Sequence, residues 1–381
     1  MRHALAIATL SIVTLTVGCD LAPARGGAYE SMPRLTPDPI VEICAGRDDP
    51  PCQFMGADLV SVAPDGRVAV ADMLGELREF DGDGSYLRAI GRKGAGPGEY
   101  RALVAMGYDD DGYLTTLDQA GMRVQRFDTA GVFGDVTHAP MIPGLMGASV
   151  SRGRVALFAL PGAAAVGDTV MAHVLLVDPA TGDTASLPAL PEPALATGDG
   201  SIFPMLPLFS VMPSDRWGVS DDGALLLADG ERMRIMRRES DAEAPRVVVD
   251  LAPTPRPITA SDLETEKTAQ LEVALRMNRN LPPTFRAALD EAANSAPKSY
   301  AFVSRLVVLD DGTLMTREDV SPAADSARWN AFTASGEPVG YMLLPADGRV
   351  AAGRLERLVV VTHDVDDVPR IVVYRVGGVE R

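Results

Sequence analysis

Short apolar runs broken by Asp-Gly pairs recur along this chain. PDGRVAVADMLGELREFDGDGSYLRAIG runs from Pro64 to Gly91, and DDGYLTTLDQAGMRVQRFDTAGVFGDV repeats the order from Asp110 to Val136. Each copy reads Asp-Gly turn, apolar strand, polar break, a second strand ending in Phe-Asp, glycine turn, third strand. Strands of this length with turn signals between them predict hairpins. A repeat of about 40–50 residues built from such strands predicts a ring of sheets, the β-propeller.

Read on this template, the chain yields about six units, with five or seven left open by the poor match of the third and last. The first opens at Leu59–Val62 and the second aligns Asp111-Gly112 with Tyr113–Leu117. A third is degenerate, with Ser151-Arg152-Gly153 in place of the turn and a Gly/Ala insertion before His173. The fourth resumes at Asp222-Gly223, the fifth at Phe302–Leu309, and the sixth holds Leu358–Thr362 and Ile371–Val376. That last unit lacks an outermost strand, while Ile40–Ile43 has no unit of its own. The expected fold is therefore all-β, a six-bladed propeller in which the N-terminal strand closes the last blade and leaves no bare edge. Residues 253–298 break the pattern between units four and five. Thr259-Ala260-Ser261-Asp262 predicts a helix start. Leu271 and Leu275, and then Phe285, Ala288, Leu289 and Ala292, share helical faces. Two helices over one face of the ring are expected, as brace or lid.

The ends set the expected address. Arg2 and His3 precede an uncharged apolar run, Ala4–Val17, which suits a signal peptide over residues 1–18. Thr16-Val17-Gly18-Cys19 resembles the bacterial lipobox, with Thr16 where Leu is usual. The resemblance implies lipid on Cys19, a membrane anchor, and an exported lipoprotein of the bacterial envelope. Asp20 leaves inner against outer membrane open. Residues 19–39, rich in Pro, Gly and Ala, read as a flexible tether before a propeller over 40–381. Cys44 and Cys52 remain, an even pair that suggests a disulfide in an exported chain. The net charge is −17. An acidic surface repels phosphate backbones, so nucleic acid is not an expected partner.

One motif carries a resemblance. Ile90-Gly91-Arg92-Lys93-Gly94-Ala95-Gly96-Pro97-Gly98-Glu99-Tyr100 resembles the signature of bacterial six-bladed propellers related to NHL-repeat proteins. The resemblance implies a six-bladed fold, lipoprotein signals and an inserted helical segment, and no reaction. The residues themselves read as a structural loop. Gly91, Gly94, Gly96 and Gly98 permit tight approach, Pro97 fixes one φ, and Arg92 and Lys93 can lean on a carboxylate such as Glu99. A phosphate-binding reading lacks the GKS/T ending and a following helix pattern.

Catalytic chemistry finds little support in the sequence. His138, His173 and His363 lie in different units, so no zinc set is assigned. Asp81-Gly82-Asp83-Gly84-Ser85 alternates oxygen side chains, but no Glu closes a twelve-residue loop and a hairpin turn belongs there. A calcium site needs only oxygen ligands, so calcium is harder to exclude than zinc, and none is assigned. No Gly-x-Ser-x-Gly elbow is present. No catalytic residue is named. Two function classes follow. The first is a non-enzymatic binding or scaffold propeller that recognises an envelope protein, peptide or glycan through its loops. The alternative is a divalent-metal hydrolase or lyase of the lactonase-like or amidating-lyase-like kind.

Overall fold

A computed structural model describes residues 26–379, except 47–49, 55, 58, 73–75, 160–164, 167–168, 188–189, 194–215, 240–243, 278–279, 283, 365 and 367. Six antiparallel sheets stand around one axis, each entered at its innermost strand. Blade 1 runs Leu59–Val62, Val68–Ala71, Leu77–Phe80, Tyr86–Ala89, and blade 2 Leu103–Tyr108, Leu114–Asp118, Arg123–Phe127, Phe133–His138. Blade 3 holds Leu145–Ser151, Arg154–Ala159, Thr169–Val177 and Thr184–Ser186. Its third strand is long enough to pair also with Ala165–Val166 and Leu190–Pro193, which explains the poor sequence match there. Blades 4 and 5 run Trp217–Val219 to Arg246–Leu251 and Arg305–Val308 to Pro338–Pro345.

Blade 6 supplies three strands, Arg349–Arg354, Arg357–His363 and Pro369–Val379, and its fourth is Leu35–Glu42 from the other end of the chain. Val41 pairs with Val373, and Ile43 N–H donates to the Ile371 carbonyl at 2.9 Å. The ring is closed as the unmatched N-terminal strand predicts. The closure starts earlier than expected, at Leu35 and not at Ile40. Pro37 and Pro39 disguise the strand in sequence. As the outermost strand of its blade it has a free side, where a missing N–H is tolerated. The expected tether through residue 39 is corrected accordingly. Gly26–Glu30 forms a short helix, α1. Met32 is buried with Phe302 and Phe332, and Arg34 bridges to Tyr341 on blade 5.

Side chains alternate across each strand, so every blade offers an apolar face to both neighbours. Six apolar clusters result, one per blade-to-blade contact. Ile43, Val60, Phe80 and Val373 join blades 6 and 1, and Leu309, Trp329, Met342 and Val360 join blades 5 and 6. Trp217 stacks on Phe158 between blades 3 and 4 at 5.3 Å. Both tryptophans are core residues.

The insertion forms α2 (Ala260–Met277) and α3 (Thr284–Asn294). Its start is a reciprocal cap: Asp262 N–H donates to Thr259 Oγ1 at 3.2 Å, and Thr259 N–H to Asp262 Oδ2 at 2.9 Å. Leu289 and Ala292 pack with Leu263, Leu271 and Phe285. Leu275, expected on that face, is exposed. Among the described residues no helix is long and apolar enough to cross a membrane.

Candidate functional site at the two mouths of the axis

Strand order gives the ring two unlike faces. Turns joining first to second strands gather on one, the turn face. Connections between blades, with those joining second to third strands, gather on the other, the loop face.

The turn face is built from copies of one device. In blades 1, 2, 4 and 5 the glycine N–H closes on a carbonyl three residues back, as Gly66 on Ala63 and Gly112 on Asp109. The preceding Asp often caps the turn. Asp109 Oδ1 accepts Asp111 N–H at 3.1 Å and Tyr113 N–H at 2.8 Å. Asp81 does the same for Asp83 and Ser85 in an outer turn, so that Asp-rich stretch is a hairpin tip.

Blade 3 departs from the device. Its turn is the pair Arg152-Gly153, both at positive φ (46° and 77°), as a two-residue primed hairpin demands. This geometry throws the Arg152 side chain across the axis. Its Nη2 donates to the Asp310 carbonyl at 2.8 Å and lies 3.1 Å from Asp221 Oδ2, and Nη1 lies 3.6 Å from Asp110. One side chain thus ties blade 3 to blades 2, 4 and 5. Beside it lies a cavity of about 210 Å³ lined by Tyr108, Asp110, Arg152, Asp310, Arg354 and Arg357 among others. Burial pushes the Asp310 carboxyl up to about 6, against the pull of Arg354. Asp221 is also raised, by burial first and then by Asp110, Asp222 and Asp311.

The loop face is irregular. The glycine motif folds there as a pinched loop between blades 1 and 2. Gly91 (φ 63°) could bear no Cβ, which would meet the Gly98 carbonyl at 2.6 Å. Gly96 serves differently: its N–H donates to Glu99 Oε2 at 2.8 Å. Arg92 Nε donates to Glu99 Oε1 at 2.7 Å, and together these bonds hold the Glu99 carboxyl below its usual range. From blade 2, Arg123 donates to the Ala95, Gly96 and Glu99 carbonyls, and Gln125 bonds Gly98 and Glu99. The glycines and Glu99 are accounted for by this pinning.

Cys44 and Cys52 form a disulfide with Cα atoms 5.4 Å apart. Arg78 secures that loop to blade 1 through the Pro51 and Gln53 carbonyls at 3.3 and 2.7 Å. Between this loop and the glycine loop lies a cleft of about 350 Å³, floored by Pro50, Pro51, Tyr86 and Tyr100, with Arg92 and Lys93 at its rim. Cys19 lies outside the described residues.

At blade 5 the helical insertion meets the ring. Ser321 donates to Asp262 Oδ1 at 2.7 Å, and this bond, with those from Thr259, holds the Asp262 carboxyl far below its usual range. Beneath them Asp319 accepts Val320 N–H at 3.0 Å, and burial pushes its carboxyl up to about 6 despite Arg317 and Arg256. Glu318 is enclosed by Tyr29, Asn330, Arg328 and Arg256. The sequence reading missed Arg152, Asp310, Arg317 and Asp319. Their signal was positional: each sits where a strand meets a turn or a connection. The three histidines stay apart. His138 ends an outer strand of blade 2, His173 lies in blade 3, and His363 stands 3.7 Å from Asp347 in blade 6. Among the described residues no three His, Cys, Asp or Glu side chains are grouped to hold a metal ion.

A family model described as a 6-bladed beta-propeller matches residues 52–154. No curated protein is similar in sequence. Among solved structures, a Bacteroides fragilis protein described as exported is 12% identical, with 92% of this chain and 97% of that one covered and a TM-score of 0.51. A member of the DUF4221 family from Bacteroides vulgatus is 10% identical, covering 91% and 99%, at 0.49. A gluconolactonase from Xanthomonas campestris is 11% identical, covering 85% and 87%, at 0.41. The chain is a six-bladed β-propeller. At such identities the likeness is one of fold.

Proposed function

We propose that this chain is an envelope-anchored, non-enzymatic binding propeller that recognises a protein, peptide or glycan through its loop face. The observation that carries the reading is the asymmetry of the two faces. The turn face consists of short repeated turns, and Arg152 spans its axis. The loop face carries the helical insertion strapped to blade 5, the pinned glycine loop and the disulfide loop. Binding residues concentrate on connections held by a rigid scaffold.

Export is supported by the apolar run before Cys19, by the Cys44–Cys52 bridge and by the Bacteroides relative described as exported. With lipid on Cys19 and folded chain from Gly26, residues 20–25 reach roughly 20 Å at most. The propeller is then held close against the bilayer.

The test is photo-cross-linking in intact cells from single positions on each face. Probes at Lys93, Ala323 and Arg276 are expected to capture a partner, and probes at Asp65 and Asp111 are not. Capture confined to the turn-face positions overturns the assignment. Elemental analysis of the purified protein checks the catalytic alternative, for which about one divalent ion per chain is the expected result.

A further inference from the structure

The cleft of about 350 Å³ between the disulfide loop and the glycine loop has a surface made mainly of rings. Pro50, Pro51, Tyr86 and Tyr100 line it, with Leu77 buried among them. The Tyr100 hydroxyl is spent inside the fold. It donates to the Ile90 carbonyl at 2.9 Å and accepts Leu77 N–H at 3.0 Å, so Tyr100 offers ring surface and no free hydroxyl. Tyr86 is held edge-on against Phe80, with ring centroids 5.9 Å apart. Both bordering loops are fixed as well. The Cys44–Cys52 bridge and Arg78 hold one, and Arg123 and Gln125 hold the other. The cleft is therefore formed before any ligand arrives, which spares binding the cost of ordering a loop. A preformed apolar concavity with a few polar groups at its edge is the usual form of a small-molecule site.

Four charged side chains line the cleft, Glu76, Arg78, Arg92 and Lys93. Arg78 and Glu76 match each other: Arg78 Nε donates to Glu76 Oε2 at 3.2 Å, and Arg78 Nη2 reaches both Glu76 and Asp72. Arg92 is matched by Glu99, which accepts from its Nε at 2.7 Å. Lys93 differs. It is exposed, and its ammonium has no hydrogen-bond or ion-pair partner among the described residues. The Tyr86 hydroxyl is likewise without a partner among the described residues. Acids farther away than about 8 Å are largely screened at physiological salt, so the negative charge of the whole chain does not decide what enters here. Locally, an unmatched cation stands beside flat apolar surface.

We infer that this cleft is a binding site for a small organic anion with a flat apolar body, an aromatic carboxylate in chemical terms. The body lies against Tyr86, Tyr100 and the two prolines, where ring surfaces favour offset and edge-on contact with another ring. The carboxylate meets the Lys93 ammonium, and the Tyr86 hydroxyl is a further polar group within the site. Blade 1 and its two flanking loops supply every part of it, so the site does not depend on a macromolecular partner or on the helical insertion.

The experiment is a ligand-observed NMR titration of the purified protein at constant ionic strength. Naphthoate carries both the body and the charge, naphthalenemethanol keeps the body without the charge, and acetate keeps the charge without the body. Saturable binding of naphthoate is expected, tighter than that of naphthalenemethanol by about fivefold, the scale of one exposed ion pair. Acetate should not saturate. Lys93→Gln should lower naphthoate to the level of the alcohol, while Lys298→Gln, at an exposed lysine outside the cleft, leaves it unchanged. Ala89→Trp, at an exposed position that lines the cleft, fills the space and should abolish binding of both ring compounds. Circular dichroism and melting establish that each variant is folded, and Lys93→Gln carries the test if Ala89→Trp is not. Absence of saturable naphthoate binding, equal binding of the alcohol, or naphthoate binding that survives Lys93→Gln or a folded Ala89→Trp overturns the site. The titration is read on isolated protein, so its failure and that of the cross-linking are told apart.

Discussion

The turn face and the loop face are made by the same strands and obey different rules. On the turn face one solution recurs, an Asp carboxylate that caps its own turn and a glycine at positive φ. On the loop face no two connections match: a glycine loop pinned by Arg123, a disulfide loop held by Arg78, two helices latched through Asp262. Repetition satisfies the backbone, which poses the same problem in every blade. Variation carries what is particular to this protein, because only there do side chains from different blades meet in unrepeated ways. Arg152 is an exception on the turn face, and it lies where the repeated turn is lost, as that turn also is in blade 6, where Leu355 and Glu356 join the first two strands.

Both faces depend on a closed ring, so the largest expected effect comes from opening it. Removing residues 26–42 uncovers the edge of Pro369–Val379 and exposes the packing of Met32 and Leu35. It should cost roughly 5 kcal/mol or more, at about 1.5–3 kcal/mol per buried apolar side chain with backbone pairing added. Urea unfolding and light scattering read this as lost cooperativity and association through the bare edge. Retained stability would mean that closure is dispensable. Next is Trp329→Ala, which empties a fully buried site between blades 5 and 6 and should cost about 3–5 kcal/mol. Its effect should reach both faces equally.

Breaking the Cys44–Cys52 bridge with Cys52→Ser should cost about 2–3 kcal/mol at most by loop-closure entropy. It should loosen only the loop face, seen as faster amide exchange near Pro50–Gln53. Asp310 and Asp319 place one raised carboxyl on each face. The folded state binds their protons more tightly than the unfolded chain does. Their contribution is therefore fully present below about pH 4, where both states are protonated, and is lost as pH rises through about 6. Asp310→Asn or Asp319→Asn should raise stability at pH 8 by roughly 1–2 kcal/mol, allowing for solvent screening, and flatten the profile between pH 4 and 6. Unchanged profiles would show that neither carboxyl is perturbed. The smallest effect is expected for Arg152→Gly. Relief of its left-handed backbone, about 1 kcal/mol, nearly offsets the lost bonds to Asp221 and Asp310, so melting should barely move.

Much of this architecture is legible from periodicity. The Asp-Gly turns mark the blades, alternation marks the inter-blade cores, and the unpaired Ile40–Ile43 announces the closure. The closing strand was read too short because Pro37 and Pro39 weaken its strand signal, and only an outermost position tolerates them. The ordered stretch around α1 was read as tether because burial of Met32 depends on blades 4 and 5, far along the chain. Arg152 looked like a degraded turn, since nothing local says that its side chain crosses the axis.

The central claim, that ligand recognition belongs to the loop face, is tested most directly by hydrogen–deuterium exchange of the protein alone and in complex with the partner recovered by cross-linking. The account predicts new protection in residues 91–100, 256–277 and 318–325, with the turns at 63–67, 109–113 and 309–313 exchanging as before. Protection confined to those turns, with the insertion and the glycine loop unaffected, would contradict it.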